Sequence, residues 1–329
     1  MTPLNILKII GIPDDNKAVV IQNDGLFRQF ALFFEGNSSF LEDTIIPNTT
    51  VTTLHLGGVE QLQNIKLPFK PDIVFNAICD PEIQNRSLAL LDDMKFKDIL
   101  PMLNTTQNIR KTKRDELSQN LPPHKDFIIP KTYRIKPHLK TDIINSAQKY
   151  FEGKAFLFRP VSSHGGTDLI RIDDYHLADF DAYSLDEREY FISEFIDFKS
   201  SDGLYRKARF FVIDGVAYPR HYLISQEWKI NLRHDTIDDN YHNKEEEKFM
   251  LSPPKIFDDF CHYLHTYLKL DFFGIDCAIL ENGKIVLFEA NVCMRPFTEA
   301  SQPYIKSAHI DIQKAFAKLI NLKKEGTSK

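Results

Sequence analysis

Two apolar runs near the C-terminus are joined by a short turn, and this pattern constrains the fold more than any other feature of the chain. Residues 272–280 and 285–291 are largely apolar, and the turn between them contains an Asn-Gly pair. This pattern predicts an antiparallel β-hairpin. Asp276 and Glu289 each lie about six residues from the turn, so their carboxylates are expected to share one face of the hairpin.

The same hairpin carries oxygen atoms suited to a hard divalent cation. Asn291 follows Glu289 by two residues, so its side chain is expected on the same face. Two carboxylates and an amide oxygen favour Mg²⁺, and Mn²⁺ is also compatible. We therefore predict Asp276, Glu289 and Asn291 as ligands of one or two metal ions. Solvated surface acids are the alternative, but the flanking strands are too apolar for it, because buried unpaired carboxylates are costly.

Length and charge limit the class of protein. With 329 residues the chain is expected to form two or three packed units. The 46 acidic and 41 basic residues give a formal net charge of −5, which argues against nucleic acid or an anionic membrane as the partner. The four cysteines form no CxxC pair, and the N-terminus lacks a cationic leader. These features predict a cytoplasmic protein with small apolar cysteines.

The first hundred residues alternate strand-like and helix-like segments, which predicts a small open α/β sheet. The segments cover residues 18–22, 26–34, 51–56 and 72–78. Asn76 and Asp80 follow the last of them, at the edge where such sheets place ligands. Turn formation explains both residues equally well.

The hairpin and several preceding segments together resemble the ATP-grasp superfamily, in the branch of ribosomal-protein glutamate ligase and glutathione synthetase. The segments, in the family's order, are a charged helix at 106–120 followed by 129–132, a strand and loop at 156–167, a strand at 190–196 and a basic strand at 206–212. The resemblance implies an α/β (α+β) ATP-grasp fold with an N-terminal open α/β pre-ATP-grasp domain. The implied units are the N-terminal domain at 1–103, a lid subdomain at 104–193 and a C-terminal catalytic subdomain at 194–329.

The resemblance also implies an ATP site. Basic residues contact the phosphates, a glycine loop closes over them, and a strand end frames the adenine. The residues implied are Arg114, Arg159, Ser163, Gly165, Gly166, Glu194, Phe195, Ile196, Asp197 and Lys207.

Several of these positions have alternatives. The helix that carries Arg114 could be a solvated charged face, and Lys113 or Lys111 could take its role. Arg159 stands where many family members have Lys, and either cation can bind phosphate. Asp197 either accepts from a ribose hydroxyl or caps the strand exit.

Three residues are candidates for catalysis under this resemblance. Arg209 would stabilise charge that develops on the transferred phosphoryl group. His164, in the glycine loop, would donate to a phosphate or be simply exposed, and Arg295 would meet an acidic substrate. His221 is either a proton acceptor for the amine or a buried, hydrogen-bonded histidine. Salt bridging is the alternative for the basic strand, and it applies best to Arg206.

The resemblance implies an ATP-dependent ligase that forms an amide through an acyl phosphate. Its expected partners are a small-molecule carboxylate and an amine, such as an amino acid or peptide, and a homodimer is compatible. The alternatives are a kinase acting on a hydroxyl and a nucleotide-binding protein without turnover. Residues 236–254 are acidic and polar, which predicts an exposed loop or short helix without chemistry.

Overall fold

The computed structural model describes residues 3–23, 29–43, 46–57, 67, 69–94, 100–163, 165–186, 188–230, 238–295 and 302–326. The strands are β1 (Leu4–Gly11), β2 (Val19–Asn23), β3 (Gln29–Phe33), β4 (Thr49–Leu56), β5 (Ile73–Asn76), β6 (Met102–Leu103), β7 (Phe127–Ile128), β8 (Thr132–Ile135), β9 (Phe156–Pro160), β10 (Ile170–Ile172), β11 (Tyr190–Glu194), β12 (Tyr205–Ile213), β13 (Val216–Ser225), β14 (Phe272–Ile279) and β15 (Ile285–Asn291). The helices are α1 (Phe40–Asp43), α2 (Asn85–Asp93), α3 (Thr106–Arg110), α4 (Arg114–Asn120), α5 (Lys140–Phe151), α6 (Asp239–Leu251), α7 (Ile256–Leu268) and α8 (Pro303–Gly326). In these ranges no helix is long and apolar enough to cross a membrane.

The N-terminal segment forms a parallel four-stranded sheet in the order β4-β1-β5-β6. This confirms the predicted open sheet and its strands at 51–56 and 72–78. The central strand is β1, which the sequence analysis did not identify, and it is buried because strands pair with it on both sides. Strands β2 and β3, within the predicted segments 18–22 and 26–34, do not join this sheet, since they pair antiparallel with each other in a separate two-stranded sheet; residues 24–28 lie outside the described residues.

A second sheet, in the order β10-β9-β11-β8, is antiparallel throughout. Helix α5 covers one face of it. Its buried side chains Ile143, Ala147 and Phe151 recur at helical spacing and pack with Phe156 and Phe158 of β9. This sheet therefore has a core of its own.

The third sheet, in the order β13-β12-β14-β15-β7, contains the predicted hairpin. Strands β14 and β15 are antiparallel, and Gly283 in their turn has a φ of +79°, which a residue without a Cβ adopts readily. In the register of the hairpin, Asp276 lies directly opposite Glu289 and Gly274 lies opposite Asn291. The hairpin thus brings the two acids side by side, as the turn position predicted.

Two helix expectations differ from the structure. The predicted helix at 106–120 is divided into α3 and α4, and Thr105 caps the first of them by accepting from the Asn108 N–H. Residues 239–251 form a helix, α6, as the short-helix alternative predicted, but the helix is not exposed on all sides. One face of α6 is buried, and it includes Glu246.

A cluster of phenylalanines joins the N-terminal sheet to the third sheet and to α8. Phe316 of α8, within the segment predicted to be a packing helix, is fully buried. Its ring lies 4.1 Å from the Phe40 ring, 5.7 Å from Phe272 and 6.1 Å from Phe75, measured between centroids. Because these rings come from distant segments of the chain, their burial holds the two sheets together.

Charged contacts link the N-terminal sheet to the second sheet. Arg134 of β8 bonds to Glu82 beyond β5, to Asp115 of α4 and to Glu189 just before β11. Burial alone would lower the pKa of Arg134, but its bonds to Asp115 and Glu82 outweigh that effect and raise the pKa. One guanidinium therefore connects the N-terminal sheet, helix α4 and the second sheet.

The sequence analysis expected four unpaired cysteines, but two of them are paired in the structure. Cys79 and Cys293 form a disulfide. Cys261 and Cys277 are free and buried, in the apolar role predicted for them. The spacing of Cys79 and Cys293 could not indicate their disulfide, because the two cysteines lie 214 residues apart in the sequence.

We expect Phe316→Ala to lower the free energy of unfolding by about 3–5 kcal/mol, since it opens a cavity among three aromatic rings. Urea unfolding followed by circular dichroism measures this loss. Ile310→Ala is the matched control on the same helix, because Ile310 is 50% exposed, and its effect should stay within about 0.5 kcal/mol. Equal losses in the two variants would contradict the role of the aromatic cluster.

Candidate functional site

A cavity of about 280 Å³ lies where the second sheet, the third sheet and the loop after β5 meet. This volume is close to the lower end of the range for small-molecule sites. Most of the predicted site residues line it. They are Arg114, Arg159, Gly165, Gly166, Glu194, Phe195, Ile196, Lys207, Arg209, Asp276, Glu289 and Asn291.

Asp276 is a buried acid of the cavity and is matched by two cations. Lys207 Nζ lies 3.1 Å from its Oδ2, and Arg209 Nε lies 2.9 Å from its Oδ1. Burial alone would raise the pKa of Asp276, but these two cations lower it below its ordinary value. Burial lowers the pKa of Lys207, and Asp276 partly offsets that change. The carboxylate is therefore held in its charged form.

Glu289 and Asn291 complete the set predicted to hold a metal. Arg114 Nη2 donates to Glu289 Oε1 over 2.6 Å. Asn291 Oδ1 is buried and accepts no hydrogen bond from the described residues. A buried amide oxygen without a donor is what a hard cation would satisfy, so the three side chains fit Mg²⁺. In the described part of the chain no group of three His, Cys, Asp or Glu side chains could hold a metal, and the set here has two carboxylates and an amide.

Arg159 organises the strand and loop of the second sheet. Its Nε donates to Ser163 Oγ over 3.2 Å, and its Nη2 donates to the Ser163 carbonyl. Burial and the nearby Arg114 guanidinium lower the pKa of Arg159. Beyond Ser163, Gly165 and Gly166 have φ values of +59° and +72°, which allow backbone to approach a ligand closely. His164 lies outside the described residues.

The end of β11 offers one backbone donor to a ligand. The Glu194 N–H donates to the Lys131 carbonyl and the Phe195 N–H to the Ala155 carbonyl. Ile196 N–H donates to none of the described residues, so it is the donor left in this segment. The Phe195 ring has the Arg171 guanidinium 3.8 Å from its centroid.

Trp228 also lines the cavity, and the sequence analysis gave it no role. Its ring meets the Phe195 ring edge to face, with centroids 5.7 Å apart. A lone tryptophan beyond β13 carried no pattern that predicted this contact. It adds an apolar wall to the part of the cavity beside the end of β11.

Some predicted residues have other contacts. Asp197 does not line the cavity, and its Oδ1 accepts from the Lys199 N–H, as the capping alternative predicted. Arg295 is exposed, and its carbonyl accepts from Arg220 Nε. Arg206 bonds to Asp202, as its salt-bridge alternative predicted. These residues do not face the cavity directly.

The structure also separates the alternatives offered for two other groups of residues. Lys111 Nζ donates to Asn108 and to the Tyr267 carbonyl, whereas Lys113 lines the cavity beside Arg114. Asp80 lines the cavity too. Asn76 instead donates to the Asn104 carbonyl and accepts from the Ile78 N–H, so it serves the turn.

A buried polar network lies behind β12, and sequence reasoning missed its central residue. His221 Nδ1 lies 2.9 Å from Glu246 Oε1, and Tyr304 donates to Glu246 Oε2 over 3.0 Å. Glu246 is 1% exposed. The acidic run around it hid this role, although His242, Glu246, Phe249 and Met250 share one helical face. His221 is thus a hydrogen-bonded, partly buried histidine opposite Arg209.

Comparisons of the sequence find no matching family model and no matching curated protein. Solved structures do resemble the chain. D-alanyl-alanine synthetase A from Vibrio cholerae has a TM-score of 0.56 at 12% identity, over 99% of each chain. D-alanine-D-alanine ligase from Coxiella burnetii has a TM-score of 0.56 at 9% identity, over 100% of this chain and 96% of the other.

A third similar structure is carboxyaminoimidazole ribonucleotide synthase from Aspergillus clavatus, solved in complex with ATP. Its TM-score is 0.51 at 12% identity, over 89% of this chain and 71% of the other. At identities this low, the likeness of these three structures establishes the fold alone.

We expect Asp276→Asn to destabilise the protein in metal-free buffer by about 3 kcal/mol, because it leaves two buried cations without a carboxylate. Urea unfolding in the presence of a chelator measures the loss. Asp186→Asn is the matched control, since Asp186 is exposed. A loss no larger than that of the control would contradict the role of Asp276 in balancing Lys207 and Arg209.

Acidification should destabilise the protein partly through His309. Burial, with Arg220 and His221 nearby, lowers the pKa of His309 from 6.5 to about 4. Between these values the unfolded chain binds more protons than the folded one, so stability falls as the pH falls. Burial also lowers the pKa of His221, which acts in the same direction.

The melting temperature should therefore fall between about pH 7.5 and about pH 5.5, and His309→Gln should reduce that fall by a few degrees. Differential scanning calorimetry at both pH values measures the change. An identical fall in the variant would show that His309 makes no contribution.

Proposed function

The chain has the ATP-grasp fold, and on that premise we propose that it is an ATP-dependent ligase that joins a carboxylate to an amine. The observation that carries the proposal is the convergence of cations and metal-ligand oxygens in one cavity. Arg114, Arg159 and Lys113 line it together with Asp276 and Glu289. Such a cavity suits a polyphosphate with a divalent cation. Two of the similar structures are ligases or synthetases of D-alanine dipeptides by name, and another was solved with ATP.

In the proposed site, ATP lies between the second and third sheets. Phe195 and Trp228 cover the adenine, and the Ile196 N–H donates to its edge. Arg159 and Arg114 bind the phosphates, and Gly165 and Gly166 let the loop backbone close over them. Asp276, Glu289 and Asn291 hold Mg²⁺, which supplies charge neutralisation at the phosphate oxygens.

The proposed reaction has two steps. A carboxylate oxygen of the acid attacks the γ-phosphorus, and ADP leaves as the acyl phosphate forms. The amine then attacks the acyl carbon, phosphate leaves and the amide remains. Arg209 lies beside Asp276 at the centre of the sheet, where its guanidinium stabilises charge on the transferred phosphoryl group.

We assign the acid and amine to the class of amino acids or short peptides. The division of the chain into an N-terminal domain at 1–103, a lid at 104–193 and a catalytic unit at 194–329 is part of the same proposal. In it, the second sheet moves as the lid while the third sheet carries the catalytic groups. Domain movement of this kind excludes water from the acyl phosphate.

We expect Glu289→Ala to lower turnover at least about a hundredfold, the loss typical of removing a transition-state electrostatic contact. The measurement is ADP release with Mg-ATP against a panel of amino acids and short peptides. Glu247→Ala is the matched control, since Glu247 is exposed on α6. Nucleotide binding of each variant, followed by Trp228 fluorescence, shows that the site still forms.

Turnover near wild type in Glu289→Ala would contradict the site. ADP and a phosphorylated product without an amide would identify a kinase instead. Nucleotide binding without ADP release against any substrate of the panel would favour a binding protein.

A further inference from the structure

The Cys79–Cys293 disulfide lies in the wall of the cavity. Cys79 follows strand β5 of the N-terminal sheet, and Cys293 follows Asn291 by two residues. Their Cα atoms lie 5.3 Å apart, although 214 residues separate them in sequence. The bond therefore ties the N-terminal sheet to the segment that leaves the metal-ligand strand.

Contacts other than the disulfide hold each cysteine in place. The Cys79 N–H donates to the Gly36 carbonyl over 2.8 Å. Met294, next to Cys293, packs so closely on Gly274 that a Cβ there would lie 2.4 Å from the Met294 Cβ. Since neither contact requires the disulfide, the two thiols should remain close after reduction, and the bond can form again.

The two cysteines both line the cavity but differ in exposure. Cys79 is 1% exposed, whereas Cys293 is partly exposed. A thiolate that enters the cavity therefore reaches Cys293 Sγ, and Cys79 is the leaving thiolate. Cys261 and Cys277 are fully buried, and burial raises the pKa of both thiols, so neither competes in exchange.

We propose that this disulfide is a thiol-exchange site which small thiols reach through the nucleotide cavity, so that a bound nucleotide protects it from reduction. The access route follows from the position of Cys293, and the protection rests on the proposed function. The nucleotide-free protein is then the redox-sensitive form. A bound nucleotide and an entering small thiol compete for the same space in the cavity.

The exchange balances with two molecules of a low-molecular-weight thiol. The first thiolate attacks Cys293 Sγ, forms a mixed disulfide and releases the Cys79 thiolate, which takes up a proton. The second thiolate attacks the sulfur of the small thiol in the mixed disulfide and frees Cys293. Two electrons pass to the protein, and the small thiol leaves as its own disulfide.

The test follows reduction of the full-length protein by glutathione, with and without a saturating nonhydrolysable ATP analogue and Mg²⁺. Samples are quenched with an alkylating reagent under denaturing conditions, and mass spectrometry counts the modified cysteines. We expect two modified cysteines before reduction and four after it. The analogue should slow reduction about tenfold or more, since only the nucleotide-free fraction reacts. Four modified cysteines even after treatment with oxidised glutathione would overturn the proposal.

Two single variants test the direction of access without requiring the disulfide. In Cys79→Ser the remaining Cys293 thiol should be alkylated rapidly in the folded protein, and the analogue should suppress this. In Cys293→Ser the buried Cys79 thiol should react slowly with or without the analogue. Equal rates in the two variants would overturn the access route.

Trp228 is the single tryptophan of the chain and lines the same cavity, so its fluorescence shows whether the analogue is bound. If the analogue binds and reduction proceeds at an unchanged rate, the protection is refuted while the proposed function stands. If the analogue does not bind, the proposed function fails, and the protection proposed here fails with it. In that case the two variants still decide the access route.

Discussion

A carboxylate buried within a sheet and matched by two cations from the neighbouring strand is the interaction on which the site depends. Asp276 lies between Arg209 on β12 and Glu289 on β15, and His221 extends the same row to β13. Four adjacent strands thus contribute one polar side chain each to this row. A slip of one residue in any pairing would turn a charged side chain to the opposite, apolar face. Because burying an unpaired charge there is costly, the charged residues help to fix the register of the strands.

The parts of this arrangement that could be predicted are those set by local sequence. The Asn-Gly turn predicted the hairpin with one acid on each strand, but a register shift between Asp276 and Cys277 is what sets Asp276 directly opposite Glu289. Alternation along β12 put Lys207 and Arg209 on one face. The salt bridge of Arg206 and the capping contact of Asp197 were also among the alternatives that short-range reasoning offered. Each depends on residues within a few positions of one another.

The parts that could not be predicted depend on distant segments. Glu246 lies in an acidic run that indicates solvent, and its contacts with His221 and Tyr304 from other elements make its burial favourable. Strand β1 was missed because its short apolar run shows no alternation that indicates a strand. Only its pairing with β4 and β5 identifies it as one. The Cys79–Cys293 bond joins segments that meet only after the N-terminal and third sheets have packed.

The junction at Arg134 has unequal tolerance to change. One guanidinium faces three carboxylates, so the cluster carries excess negative charge. Glu189 has a side chain that is 51% exposed, and its loss would remove a bond but also relieve repulsion among the acids. Loss of Arg134 would remove the cation that bonds to both Glu82 and Asp115, whose side chains are 10% and 15% exposed, and would leave Lys113 as a cation acting on Glu82. Substitution of Glu189 should therefore be tolerated at this junction, whereas substitution of Arg134 should not.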